Sequence, residues 1–356
     1  MILKMKALCA MSGGVDSSVA AALALEHGYH CAGITLRLFN SELTQTASRC
    51  NIDVIDAKNV AEKLGIEHSV LDFYEEFDKH VIRHFAETYE NGATPNPCIE
   101  CNRNIKFNPL LLHRHNYNFL VTGHYARSMQ DTFSGRYLLL KAHDEKKDQS
   151  YVLYSLSQQQ LKSSFFPLGN LSKNEVRKIA EDKKLVNAAK SESQDICFIP
   201  DGDYGRFIEA YTGKSYPHGD IIDLEGKIIG RHKGLIRYTI GQRRGLGVAA
   251  NVPIYVAAKS ITDNTVTLAA DEALYSKSLA AKDINLIACT DLKKPMRVMA
   301  RTRYLQTEQA AVAEQTGENS LHIEFDKPQR AITPGQAVVL YDGDIVVGGG
   351  TISAPS

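Results

Sequence analysis

The stretch AMSGGVDSSVAAAL, residues 10–23, follows directly on the short apolar run Lys6-Ala7-Leu8-Cys9. It sets two glycines, an aspartate and two serines between a β-prone run and an alanine-rich helix former. A glycine-rich turn from strand to helix aims backbone N–H groups at whatever lies beyond the positive end of the helix dipole, which makes an anion site. Gly13 and Gly14 let the backbone come close to a phosphate with no Cβ in the way. Ser12, Ser17 and Ser18 add hydroxyl donors. Asp16 is the odd member, because a carboxylate beside phosphate is repelled unless a cation such as Mg2+ lies between them. The turn is neither G-x-x-x-x-G-K-[ST] nor G-x-G-x-x-G. A plain tight turn ahead of a capped helix is the competing reading.

Around this turn the first half of the chain alternates between two periodicities. Residues 6–11 read as a strand, 16–27 as a helix stopped by Gly28, 31–39 as a second strand, and 56–64 as a helix closed by Gly65. A strand over 68–73, an amphipathic segment over 75–90, a helix near 107–115 and the apolar run 119–126 follow. Ser172 and Glu175 form a capping box for a helix beginning at Lys173. Strands alternating with helices predict an α/β fold with a parallel sheet covered on both faces. Beyond residue 200 the texture changes to glycine-rich, short β-prone runs with a hairpin turn at 224–227. From about 280 the alternation is that of a small antiparallel barrel. The expected domains are therefore 1–202, a small, mostly β domain over 203–275, and a C-terminal β-barrel over 276–356.

With 356 residues the chain exceeds what one core usually organises. No run approaches the roughly 18 apolar residues of a membrane helix, and the start lacks a signal-peptide pattern, so no membrane partner and a cytoplasmic location are expected. The 41 basic and 41 acidic side chains cancel, which excludes a global attraction to polyanions. Locally, Lys227, Arg231, Lys233, Arg237, Arg243, Arg244 and Lys259 lie in a window, 227–262, that holds no Asp or Glu. Such a window can grip a polyanion or be an ordinary solvated surface.

Two separated segments carry cysteine: TPNPCIECNRNIKF (94–107) and SQDICFI (193–199). Seven cysteines in a reducing compartment are no disulfide scaffold. Half a zinc site, a buried thiol at Cys197 and sulfur chemistry remain open for Cys98, Cys101 and Cys197.

SGGVDSS (12–18) resembles the signature of the ATP pyrophosphatases, the PP-loop superfamily, whose loop takes the β,γ-pyrophosphate of ATP. Together with TGHYAR (122–127), KDQSYVLY (147–154), FFPLG (165–169), YTIGQRRGLG (238–247), RTRYLQ (301–306), TPGQAVVLY (333–341) and the two cysteine segments, in that family's order, it resembles the bacterial tRNA-specific 2-thiouridylases over nearly the whole chain. The resemblance implies adenylation of O2 of the wobble uridine 34 in tRNA for Lys, Glu and Gln, followed by replacement of that oxygen with sulfur carried as a cysteine persulfide. A persulfide-donating sulfur carrier or cysteine desulfurase is the implied partner.

Position by position, the resemblance assigns Ala10, Met11, Ser12, Gly13, Gly14, Val15, Asp16 and Ser17 to the ATP loop, and Leu36 and Gly123 to the nucleotide pocket. Cys197 matches the persulfide carrier. Cys101 matches its partner, with a transient Cys101–Cys197 disulfide as by-product. Asn96, Pro97 and Cys98 match the segment that meets the target base. Lys147, Asp148 and Gln149, Arg303 and Tyr304, and singly His124 and Gln336, match tRNA contacts, and Arg301 is expected beside them on phosphate. Many members of the family have Asp where this chain has Cys98. That departure leaves a general acid or base role vacant and admits an alternative, an iron–sulfur cluster on Cys98, Cys101 and Cys197. An ATP-dependent amidotransferase or ligase is the rival from another class, disfavoured because it leaves the cysteines unexplained.

Overall fold

The computed structural model describes residues 5–39, 47–108, 117–191 and 196–355. The chain opens with β1 (Lys6–Ala10), the turn 11–14 and helix α1 (Val15–Glu26). Gly28, at φ +82°, ends that helical run where the sequence places its stop. Next come β2 (His30–Arg37), helix α2 (Ala47–Leu64), β3 (Glu67–Asp72) and β4 (Phe119–Val121). Helix α2 starts nine residues before the predicted position 56. The helix expected near 107–115 falls mostly outside the described residues.

A hairpin of β5 (Arg127–Gln130) and β6 (Tyr137–Leu140) precedes the short β7 (Ser164–Phe165). The sheet order is β3-β2-β1-β4-β7, with every pairing parallel. Strand order therefore reverses between β1 and β4, and in doubly wound sheets ligands bind at the carboxyl ends of the strands at such a switch point. The turn 11–14 sits there.

The middle of the chain holds a mixed sheet of β8 (Gly219–Ile222), β9 (Ile228–His232), β10 (Tyr255–Ser260) and β11 (Thr265–Ala269), in the order β10-β11-β8-β9. The β8–β9 turn closes through Asp223 N–H on the Lys227 carbonyl, with Gly226 at φ +84°. The last part is antiparallel: β12 (Tyr275–Leu286), β13 (Met296–Arg301), β14 (Gln309–Gly317), β15 (Ser320–Arg330), β16 (Ala337–Asp342) and β17 (Ile345–Pro355). Pairing of β12 with both β15 and β17 closes a six-stranded barrel.

The hairpin β5–β6, from the first half of the chain, joins the barrel's sheet through Leu140 opposite Ile345. One buried cluster joins Leu8, Ile34 and Leu120 of the parallel sheet with Val339, Tyr341 and Val346 of the barrel. The parallel sheet and the barrel thus share a core, which the change in sequence texture does not reveal. Among the described residues no helix is long and apolar enough to cross a membrane.

Candidate active site

The glycine-rich turn is built from its own hydroxyls. Ser12 N–H donates to Ser17 Oγ (3.1 Å), while Ser17 Oγ and Ser18 Oγ both donate to the Gly14 carbonyl (3.0 and 2.9 Å). Gly14 is the N-cap of α1. Gly13 is at φ +74°, and a Cβ there would lie 2.2 Å from the Asp53 carbonyl oxygen, so only glycine fits. Ala10 ends β1, and the buried Met11 donates its N–H to the Ile34 carbonyl; Val15 is buried at the first helical position. The amides of the first turn have no intrahelical partner, and they follow directly on the carboxyl end of β1, beside the switch point. Leu36, near the end of β2, packs against two buried clusters, one of which holds Cys101. Gly123, just past β4, approaches so closely that a Cβ would be 2.6 Å from Ser17 N.

The cation that the sequence demands beside Asp16 is present as a side chain. Lys173 Nζ donates to Asp16 Oδ1 at 2.7 Å, and Tyr125 O–H donates to the same oxygen at 2.8 Å. Below the turn, Lys190 Nζ reaches the Gly13 carbonyl (3.2 Å), Asp53 (2.7 Å) and Asp56 (2.5 Å). Asn187 Nδ2 donates to the Gly13 carbonyl and to Ser18 Oγ, both at 2.9 Å. Sequence reading missed all four supports. Lys173 carried a signal only as the first residue after the capping-box serine, and Tyr125 only as a member of TGHYAR (122–127); Asn187 and Lys190 carried none, since only the fold brings them to the turn.

The segment 94–107 begins as a short helix (Pro97–Glu100) and continues as a π-helical stretch over Cys101–Lys106, a rare geometry that is frequent at functional sites. Asn96 is the N-cap, its side chain accepting from Ile99 N–H, and Pro97 occupies the first turn. Cys98 is exposed and Cys101 is buried. Burial pushes the Cys101 thiol up to about 11, opposed in part by Lys106. Cys197 is exposed, while the adjoining Phe198 and Ile199 are buried in the same cluster as Cys101. Residues 193–195 of the second cysteine segment lie outside the described residues.

Among the described residues no three His, Cys, Asp or Glu side chains gather into a metal-binding group. Cys98, Cys101 and Cys197 as placed therefore do not fit an iron–sulfur cluster. Nor does the turn hold a pre-assembled Mg2+ site, its carboxylate being engaged by Lys173 and Tyr125.

The residues matched to tRNA contacts divide. Asp148 is buried, accepting from Ala142 N–H and Ser150 Oγ and pairing with Arg301 at 3.4 Å. Gln149 Oε1 accepts from Tyr125 N–H. His124 is buried beside Phe107 and Phe166, hydrogen-bonded to Thr122 Oγ1 at 2.9 Å. Gln336 Nε2 donates to the Thr94 and Pro95 carbonyls. Arg303 is exposed, Lys147 half-buried, and Tyr304 packs 6.0 Å from the Tyr151 ring. Arg301 differs from expectation: its side chain is 14% exposed and is held by Asp148 and Glu308 rather than offered to phosphate. In the basic window, Lys259 is turned inward onto the Tyr238 carbonyl and Arg237 pairs with Asp203 and Glu209, while Arg243 and Arg244 are exposed.

Comparison with known proteins matches residues 5–201 to a tRNA methyl transferase HUP domain, 205–270 to a tRNA methyl transferase PRC-barrel domain, and 276–352 to an aminomethyltransferase beta-barrel domain. The tRNA-specific 2-thiouridylase MnmA of Acetivibrio thermocellus is 46% identical, over 98% of this chain and 99% of its own. Namesakes in Heliobacterium modesticaldum (98% of this chain, 93% of its own) and Clostridioides difficile (99% of each) are 48% and 43% identical. The chain therefore belongs to the tRNA-specific 2-thiouridylase family.

Proposed function

We propose that this enzyme binds ATP at the turn 10–17, adenylates O2 of uridine 34 in tRNA for Lys, Glu and Gln, and replaces that oxygen with sulfur. In the first half-reaction the base oxygen attacks the α-phosphorus and pyrophosphate leaves. This turns a poor leaving group into a good one. In the second, Cys101 attacks the inner sulfur of a Cys197 persulfide, giving a Cys101–Cys197 disulfide. The released sulfur, as hydrosulfide, attacks C2, and AMP departs with the oxygen. External thiol then reduces the disulfide. A persulfide-donating carrier or desulfurase supplies Cys197, whose exposure suits transfer from another protein. Mg2+ is expected with the nucleotide, carried on its phosphates.

The observation that carries this reading is the position of the complete SGGVDSS turn at the switch point of the parallel sheet, with the cysteine segment packed in the same half of the chain. A base must be splayed from its loop to be modified in this way, which an anticodon loop permits. The test supplies persulfide-loaded protein with ATP and unmodified tRNA, then quantifies AMP, pyrophosphate and 2-thiouridine by mass spectrometry. AMP and 2-thiouridine in equal amounts support the proposal. AMP formation that is independent of tRNA, or a modified base other than position 34, overturns it.

A further inference from the structure

The cysteine segment is gripped from both later parts of the chain. Its head, Thr94 and Pro95, is held by Gln336 of the barrel. A second hold lies just before it, at the end of the helix Arg83–Glu90. Glu90 Oε1 accepts from Tyr216 O–H at 2.5 Å and from Lys214 Nζ at 2.7 Å, both in the stretch that follows the helix Tyr204–Thr212. The Lys214 side chain is 60% exposed, so its ion pair is weak. The short bond from Tyr216 is the stronger contact, because a hydroxyl donating to a carboxylate makes a charge-assisted bond. Burial and the Glu90 carboxylate push the Tyr216 hydroxyl up to about 12, while Lys214 and Tyr216 hold the Glu90 carboxyl below its ordinary value. Near neutral pH the donor keeps its proton and the acceptor its charge.

Tyr216 is itself seated. It packs against the buried cluster that holds Cys101, and a Cβ on Gly234, at φ +101°, would lie 3.0 Å from the Tyr216 Cβ. Beyond Glu90 the backbone is tied down as well. The N–H groups of Asn91, Gly92 and Ala93 donate back to the carbonyls of Glu87, Tyr89 and Thr88 at 2.9, 3.0 and 3.0 Å. Gly92 lies against Ile261, in the turn between β10 and β11, where a Cβ would be 3.3 Å away. Residues 91–95 then lead straight to Asn96, the N-cap of the helix that carries Cys98.

We propose that Tyr216 and Glu90 are positioning residues for thiolation: their bond fixes, from the middle of the chain, the helix end from which the segment bearing Asn96, Cys98 and Cys101 departs. The inference rests on the reading of that segment as the place where base and sulfur meet. Both residues act through its backbone. With the barrel alone holding Thr94, the segment pivots about one point; the second hold removes that freedom. Small displacements of reacting groups carry large rate penalties, which is why a bond remote from the chemistry matters.

The test compares wild type with Tyr216→Phe, Glu90→Gln and Glu90→Ala as persulfide-loaded protein with ATP and unmodified tRNA, after thermal melts have confirmed folding. Single-turnover 2-thiouridine formation gives the rate, its tRNA dependence gives half-saturation, and hydrogen–deuterium exchange over 91–107 reads the segment itself. Tyr216→Phe removes one oxygen and keeps the ring's packing. It should raise exchange over 91–107 and slow thiolation about three- to tenfold, with half-saturation by tRNA changed less than about twofold. Glu90→Gln keeps an acceptor for Tyr216 and should retain most of the rate. Glu90→Ala should lose about tenfold. Combining it with Tyr216→Phe should cost no more, since both remove the same bond. Unchanged rates in Tyr216→Phe and Glu90→Ala, additive losses in the pair, or a loss seen wholly as weaker tRNA binding would overturn the proposal. Thiolation that survives Cys101→Ser would instead overturn the reading of the segment, while exchange over 91–107 still decides whether Tyr216 and Glu90 hold it.

Discussion

Gln336, in the barrel, holds Thr94, at the head of the cysteine segment: its Nε2 donates to the Thr94 carbonyl at 3.1 Å and to that of Pro95 at 3.0 Å. Thr94 N–H answers by donating to the Pro334 carbonyl at 2.8 Å. Gly335, at φ +87°, leaves no room between the two segments of this clamp, since a Cβ would lie 2.8 Å from the Thr94 oxygen. The barrel thus positions the residues that precede Cys98.

From that clamp we predict that Gln336→Ala lowers the rate of thiolation more than it weakens tRNA binding, and costs about 1–2 kcal/mol of stability for two lost hydrogen bonds. Thiolation kinetics at saturating tRNA, beside a filter-binding isotherm and a melt, check this. A pure loss of tRNA affinity with the rate intact would place Gln336 on the RNA instead.

The arginines two residues apart, 301 and 303, should behave oppositely. Arg301 faces Asp148, whose side chain is 1% exposed, and lies 5.0 Å from the Tyr341 ring centroid. Arg301→Met leaves the buried Asp148 carboxylate without its cation, while Glu308 keeps Lys141 at 2.9 Å, and the loss at Asp148 costs about 3–5 kcal/mol. Arg303→Ala, at an exposed position, should leave the melting temperature unchanged and instead reduce tRNA affinity and its salt slope by about one unit. Melts and salt-dependent binding on both variants separate the two roles.

The strand–turn–helix at residues 6–26 was legible because each local signal, from β1 through Gly13 to the stop at Gly28, points the same way. The capping box at Ser172 and the barrel alternation after residue 280 were legible for the same reason. What no local pattern carries is which element an ionic side chain will meet. Arg301 in an RTRY run reads as a phosphate contact; only the approach of Asp148 and Glu308 shows it to be internal. The expected C-terminal β-barrel, 276–356, likewise reads as a separable module that could be cut away to test tRNA binding. Tyr341 and Val346 share a core with Leu8 and Leu120, so that truncation exposes the parallel sheet's own interior.

Acid should destabilise the fold partly through His124. Burial, with Lys106 nearby, holds its imidazole well below the ordinary value of 6.5. The unfolded chain takes up this proton as pH drops below about 6.5 while the folded protein does not. The unfolded state then binds more protons, so stability present above that pH is lost progressively beneath it. Melts of wild type and His124→Gln between about pH 7.5 and pH 5.5 should show a shallower decline in the variant. Parallel declines would remove His124 from the account.

The thiols give the last prediction. Cys98 and Cys197 are exposed, whereas Cys101 is buried and its thiol is pushed up to about 11. Alkylating agents react with thiolate, so near neutral pH the protein alone should lose Cys98 and Cys197 to iodoacetamide first, with Cys101 much slower. Between pH 7 and pH 10 the Cys101 rate should climb about tenfold per unit, following its thiolate fraction. Adding tRNA and ATP should raise the Cys101 rate at fixed pH if substrate binding opens the pocket around it. Mass spectrometry of each cysteine peptide reads all three rates at once. The same samples, prepared without oxygen, distinguish the sulfur routes. In the persulfide route Cys98→Ser keeps most thiolation, whereas Cys101→Ser and Cys197→Ser lose it. Equal loss in all three variants, with wild type active only when iron and sulfide are bound, would replace the persulfide pair by a cluster and require the three cysteines to move together from where this structure holds them.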